Sequence, residues 1–437
     1  MNIRRLILTA KCASAGCAAL FVLLFVLPQT AGAMLEPPND PHYPKQHYLQ
    51  QTGVPAAWEW IAENGIELAE VTVAVVDSGV DLSHPDLKDR LVEGVNLLQP
   101  GRPPQDDNGH GTAVAGVIAA AVNNGEGIAG IAPNVRIMPI KAVGARGVGE
   151  EEHLGEGIRY AVDHGADIVV LSLGLHLFSP YLHDIVAYAE SKGVLLVAAT
   201  GNDGKQIRYP AAYPTVLAVG GVSITNEHKP NSNAGPEIDL SAPWLVFTTG
   251  LGGTYVYKEG TSMAAPQAAG AAALLLGVHP ELSPAEVRER LRQTAFPLGA
   301  GWNPRTGFGL LQTDKAVAEP PKPDMFEPND RRELAQPAPV VSIVYGEFST
   351  AEDEDWYLFE PPYPGEISLR VSGPGGEPVP AELQYVDASG AVAAVPLGDG
   401  REARVPSPAG QPAAVRLKLA DRAAAPVPYR LETNFPI

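Results

Sequence analysis

From Val71 onward the chain alternates short, wholly apolar runs with stretches whose apolar residues recur at helical spacing. The runs are Val71–Val76, Ile168–Leu173, Val194–Ala199 and Val216–Val219. None shows the in–out alternation of a sheet with one wet face, so each reads as a strand of a parallel sheet covered on both sides. The helical stretches are His110–Ala121, Glu151–His164, Tyr181–Lys192 and Ser262–Gly277. This order predicts an α/β domain, a doubly wound and mostly parallel sheet flanked by helices. In such a sheet the functional residues gather at the carboxyl ends of the strands. The pattern stops near Ala318. Glu319–Pro323 (EPPKP) reads as a stiff extended linker. Beyond it, short alternating stretches such as Ile367–Val371 and Ala414–Leu419, punctuated by Gly and Pro, predict a small all-β sandwich. The expected division is a leader at 1–33, the α/β domain at 34–318, the linker at 319–323 and the sandwich at 324–437.

The leader has its own pattern. Arg4, Arg5 and Lys11 occur without any acid, an apolar stretch follows at Ala18–Leu27, and Ala31-Gly32-Ala33 supplies small residues for cleavage. This is the layout of a secretory signal peptide and predicts export to the medium, the cell envelope or the periplasm. Carried back to Ala13, the apolar stretch is about 20 residues long, enough for an uncleaved membrane anchor; the membrane is a partner only in that case. Cys12 and Cys17 both lie in the leader, so the exported chain would have no disulfide, thiol nucleophile or cysteine metal site.

Composition narrows the function. Hydrophobic residues make up 45% of the 437, which excludes wholesale disorder. The 45 glycines and 42 prolines favour turns and loops over a helical bundle. Fifty acids against 31 bases give a net charge of −19, with no basic run, so nucleic acid is excluded as an expected partner.

Four polar residues sit where strands end or helices begin. Asp77 follows the first apolar run (VVDSG), His110 opens a small-residue helix (NGHGT), Asn202 follows the third run (TGNDG), and Ser262 lies at the mouth of another helix (GTSMAAP). A serine hydroxyl is a weak nucleophile until an imidazole can take its proton, and the imidazole needs a carboxylate on its other nitrogen. The oxyanion that forms needs donors already in place, for which the Asn202 amide and the Ser262 backbone N–H are candidates. Singly, each has a bland reading as a cap or a turn former. Together and in this order they make a catalytic set.

The ordered motifs DSG, HGT and GTSMAAP, with Gly201-Asn202, resemble the subtilisin-like serine protease family, closest in style to its thermitase branch, over about residues 38–318. The resemblance implies a serine endopeptidase that acts through an acyl-enzyme on polypeptide substrates, without an organic cofactor and as a monomer. A non-catalytic binding protein that keeps the fold is the alternative. It further implies that Ser172, Leu173 and Gly174 pair with substrate backbone, that Gly147 and Gly149 form the opposite wall, and that Ala199 and Gly201 lie in the floor of the pocket for the residue before the scissile bond. These walls predict a preference for large apolar or aromatic residues. The acids Glu150–Glu152 would either attract basic side chains or simply suit a helix N-terminus. The resemblance also implies a structural Ca²⁺ held by Asp40, Asp86, Ala121, Asn124, Glu126 and Ile128, hard oxygen donors of the kind calcium takes. The alternative for Asp40 and Asp86 is turn capping. A weaker Ca²⁺ or Na⁺ site is expected near Tyr209–Val216.

Departures from the family pattern are Ala113 and Gln267, each in place of a common His. The few residues between Ala33 and Asp40 leave no room for the usual inhibitory propeptide. Past the linker, Glu327-Pro328-Asn329-Asp330 and Asp353–Phe359 resemble a bacterial pre-peptidase C-terminal domain, which implies a β-sandwich. Asn329, Asp330 and Asp355 are candidate ion ligands there, and the aromatic residues of Trp356–Phe359 are read as core.

Overall fold

The computed structural model describes residues 36–361, 364–386, 392–397, 401–407, 412–420 and 425–435. The leader, its cleavage motif and both cysteines lie outside the described residues.

Seven strands form one sheet: β1 (Val71–Asp77), β2 (Val95–Asn96), β3 (Val135–Lys141), β4 (Ile168–Leu171), β5 (Leu195–Ala199), β6 (Val216–Val222) and β7 (Leu240–Pro243). Their spatial order is β2-β3-β1-β4-β5-β6-β7 and every pairing is parallel. The fold is the doubly wound α/β architecture read from the sequence. The chain winds outward from β1 to β3, then returns to add β4 on the other side of β1. The carboxyl end of β1 is therefore the point where the strand order reverses and a crevice opens.

The apolar runs are strands because both faces are covered; β4, β5 and β6 are buried at every position. The helix Thr261–Val278 runs through the core and is apolar on all sides, as burial demands. It is long and apolar enough to cross a membrane, but here it is mostly buried within the protein. Three strands of this sheet escaped the sequence pattern, the first of them the two-residue β2. β3 (VRIMPIK) mixes Arg, Pro and Lys into its run; next to it lies only the two-residue β2, so Pro139 sits near the sheet edge, where proline is tolerated. β7 (LSAP) is too short and polar to stand out.

Past Ala318 the strands are antiparallel apart from Gln336–Ala338, and they form a five-stranded and a four-stranded sheet. Gly365–Ser372 and Ala413–Leu419 are among them. Tyr357 and Phe359 are fully buried in this core. The EPPKP segment does not hang free. Lys322 N–H donates to Gln293 Oε1 (2.9 Å), Gln293 Nε2 donates to the Lys322 carbonyl (2.8 Å), and Arg290 bonds the Glu319 carbonyl. The prolines are thus clipped along the helix Pro284–Thr294.

That helix also joins the two layers of structure through Arg292, whose side chain is 2% exposed. Its Nε and Nη2 reach Asp239 Oδ1 (2.9 and 2.6 Å), and Nη1 donates to the carbonyl of Ile343 in the β-rich part (2.7 Å). Asp239 Oδ2 in turn accepts the N–H of Ala218 in β6 (2.7 Å). Burial raises the Asp239 carboxyl, while Arg292 opposes the rise. Breaking such a pair leaves an uncompensated buried charge. Arg292→Met should therefore cost about 3–5 kcal/mol in urea unfolding. A loss below about 1 kcal/mol would show that this pair does not hold the two parts together.

Candidate active site

Asp77 is the last residue of β1 and is 1% exposed. Its carboxylate oxygens lie 2.8 and 2.9 Å from His110 Nδ1, which donates to them. Burial lowers the proton affinity of the imidazole. The charge of Asp77 and this hydrogen bond outweigh that, so the His110 pKa stands above its ordinary 6.5.

The local sequence explains why the histidine arrives there. The buried Asp106 carboxylate collects the N–H groups of Asn108, Gly109 and Thr112 and the hydroxyls of Ser78 and Thr112. These bonds fold the DDNG turn and start the helix His110–Ala119 on the loop after β1. Gly111 permits the contact, since a Cβ there would stand 2.1 Å from the Gly79 carbonyl oxygen.

Ser262 lies in the first turn of Thr261–Val278. Pro266, four residues on, has no N–H to give the Ser262 carbonyl. Ser172 takes its place: its Oγ donates to that carbonyl at 2.9 Å. The Ser262 hydroxyl donates back to the Ser172 carbonyl at 3.0 Å, and in this structure it makes that bond rather than one to His110. The structure thus brings Asp77 and His110 into direct contact and ties Ser262 to Ser172. Asn202 is oriented by Thr261, whose N–H and hydroxyl both donate to Asn202 Oδ1 (2.9 and 2.8 Å). With its oxygen held, the amide Nδ2 has no acceptor among the described residues, and Asn202 lines the same cavity as Ser262.

The seven candidate channel residues line two cavities that meet at Leu173 and Gly174. Gly147 and Gly149 line one of 210 Å³. Ser172, Ala199 and Gly201 line the other, of 160 Å³. The second is not uniformly apolar as the sequence led us to expect, because Asp203 and Arg208 line it as well. Glu150 borders the first cavity, while Glu151 bonds the Ser179 hydroxyl at the start of the neighbouring helix.

Asp40 and Asp86 are both buried beneath the loop 121–128. Asp40 accepts the N–H groups of Asn123 and Asn124 (3.0 and 3.1 Å). Asp86 accepts from Asn124 Nδ2, Ile128 N–H and the Tyr255 hydroxyl (2.7, 3.0 and 2.9 Å). No Lys or Arg pairs with either acid among the described residues. Burial, and to a lesser degree the charge of Asp86, raise the Asp40 carboxyl against its hydrogen bonds. The carbonyls of Ala121, Glu126 and Ile128 accept no hydrogen bond among the described residues. Two buried acids beside three spare carbonyls and an amide fit a hard cation. The segment Tyr209–Val216 is different, since the carbonyls of Tyr209, Pro210, Tyr213 and Thr215 are already engaged, the last by the Arg288 guanidinium. Farther along, Asn329 and Asp355 are fully buried, and carboxylate oxygens of Glu327, Asp353 and Asp355 lie within 4.8 Å of one another. Burial pushes the Asp355 carboxyl up to about 8, against a hydrogen bond from Tyr429.

Ser78, Asp106 and Thr261, which hold the catalytic candidates, were missed from sequence. They act through side-chain hydrogen bonds, which leave no periodic trace. Arg208 was missed because it lies outside the strand end that defined the pocket floor.

Comparison with known proteins agrees with this geometry. Residues 69–320, more than half of the chain, match the model of the Subtilase family. A thermophilic serine proteinase of Bacillus sp. (strain AK1) is 40% identical over 283 residues, covering 64% of this chain and 69% of its own. A subtilisin of Bacillus pumilus is 41% identical over 257 residues, covering 57% and 91%. The minor extracellular protease Epr of Bacillus subtilis (strain 168) is 40% identical over 283 residues, covering 63% and 43%. The chain belongs to the subtilase family and is a serine-type endopeptidase.

Proposed function

We propose that the chain is exported and cleaves polypeptides with Ser262 as nucleophile, His110 as general base and Asp77 as the group that fixes the imidazole. The observation that carries this reading is the pair of 2.8 and 2.9 Å contacts between His110 Nδ1 and a buried carboxylate. They commit Nδ1 to donating, which leaves Nε2 as the basic nitrogen. In acting, the Ser262 hydroxyl leaves the Ser172 carbonyl, gives its proton to His110 and attacks the scissile carbonyl carbon. The tetrahedral oxyanion is met by Asn202 Nδ2 and the Ser262 backbone N–H, at the positive end of an 18-residue helix. Collapse expels the amine, which takes the proton from His110, and leaves an acyl-enzyme for water to hydrolyse by the reverse roles. Leu173 and Gly174, left unpaired beyond the end of β4, offer backbone to an extended substrate. Export is supported by the leader pattern and by a relative named as extracellular.

The base must be neutral to accept a proton. Because Asp77 raises the His110 pKa, activity should be lost at a higher pH than a free imidazole would give. The acid limb of kcat/KM should show an apparent pKa above 6.5. In Asp77→Asn the limb should move down, with a rate loss on the order of 10⁴. A limb that stayed in place in Asp77→Asn would remove Asp77 from this role.

We further propose that Asp40, Asp86, Asn124 and the carbonyls of Ala121, Glu126 and Ile128 hold a structural Ca²⁺. When bound, the ion neutralises two buried acids and fixes the 121–128 loop. Chelation should lower Tm by about 5–10 °C, restored by Ca²⁺ but not in Asp40→Ala. A Tm indifferent to chelator would rule the ion out.

A further inference from the structure

The cavity beside Ser262 receives, on the proteolytic reading above, the substrate side chain before the scissile bond. Of the side chains that line it, two are charged, Asp203 and Arg208. Arg208 is anchored by its backbone, whose N–H donates to the Thr200 carbonyl beyond β5 (3.0 Å). Its side chain runs close under the two glycines of the pocket. A Cβ on Gly174 would lie 3.1 Å from Arg208 Cβ, and one on Gly201 would lie 3.2 Å from Arg208 Cδ. The Arg208 side chain lines the pocket with its Nε buried and is 28% exposed.

Its partner is Asp203, reached by Nη2 at 3.2 Å. Among the described residues this single long contact leaves most of the guanidinium's donors unused, and Arg208 Nε and Asp203 Oδ1 are both buried without a partner. The Asp203 carboxylate balances the guanidinium's charge but engages only one of its nitrogens. A substrate carboxylate would meet the free N–H groups of Nη1 and Nη2, charge-assisted donors that suit an acid. A substrate ammonium would have only Asp203 to meet, with Arg208 beside it repelling it. A large apolar side chain would bury the ion pair and give its free donors nothing.

We infer that Arg208 makes this enzyme select a glutamate or aspartate side chain immediately before the scissile bond, with Asp203 holding the guanidinium in place until substrate arrives. The expectation of large apolar residues is replaced by an acidic one. The cavity of 160 Å³ is open to a flexible acid that lays its carboxylate along the guanidinium.

The test uses the full-length protein and peptides that differ only in the residue before the cleaved bond: Glu, Gln, Leu, Phe and Lys. The expected kcat/KM for Glu exceeds that for Gln by about tenfold or more, and that for Lys by on the order of 100-fold. In Arg208→Gln the Glu-to-Gln ratio should fall to about 1. Asp203→Asn should raise kcat/KM for Glu, since the competing carboxylate is gone; this second variant keeps the test decisive where Arg208→Gln does not fold. A wild-type preference for Leu, Phe or Lys overturns the assignment, as does an unchanged Glu-to-Gln ratio in folded Arg208→Gln. A fluorophosphonate label run alongside separates the two levels. A labelled enzyme with the wrong preference refutes only the specificity, whereas a folded enzyme that takes no label refutes the proteolytic reading and the specificity with it.

Discussion

A parallel sheet buried on both faces can expose polar groups only at its strand ends, and the order of strands decides which end becomes a crevice. Here the chain leaves β1 in one direction for β3 and comes back on the other side for β4. The last residue of β1 is thus held at the one place where neither neighbouring connection covers it. Asp77 occupies that position. The His110 helix, the Ser262 helix and the end of β5 converge on the same edge because each packs against this sheet. The four candidate residues come from segments spread over about 185 positions of sequence, and the topology alone gathers them.

Convergence to a region is coarser than alignment of atoms, and small hydrogen-bonding groups supply the difference. Asp106 gathers five donors to set the first turn of the His110 helix. Thr261 spends its N–H and hydroxyl on the Asn202 oxygen, which turns the amide nitrogen outward. Pro266 leaves the Ser262 carbonyl without its helical donor, and Ser172 fills that gap. A residue of the candidate channel is thereby joined to the backbone of the candidate nucleophile. Arg292 plays a comparable part at a larger scale, with one buried guanidinium bridging the sheet and the β-rich part.

The strands with continuous apolar runs and four of the helices were legible in sequence, since burial on two faces writes itself as an unbroken run, whereas the helices Val54–Glu63 and Pro284–Thr294 were not. The boundaries moved by a residue or two: the predicted helix Ser262–Gly277 is Thr261–Val278, and Ile168–Leu173 ends as a strand at Leu171, where the chain turns to line the cavity. β3 was hidden by its Arg, Pro and Lys, residues that a sheet edge tolerates and a pattern does not forgive. The motifs carrying Asp77, His110, Asn202 and Ser262 stood out because their order and residue types are a joint improbability. Arg208 did not, because a cation in a Gly-containing loop has no signature until the fold brings it under Gly174 and Gly201.

In the proposed mechanism His110, held by Asp77, activates Ser262 and no other hydroxyl. Intact-mass analysis of the full-length protein after a fluorophosphonate, beside Ser262→Ala, tests it most directly. One adduct is expected on the parent, none on the variant, and the same unfolding transition for both. Label on Ser262→Ala, or a folded parent that takes no label, would contradict it.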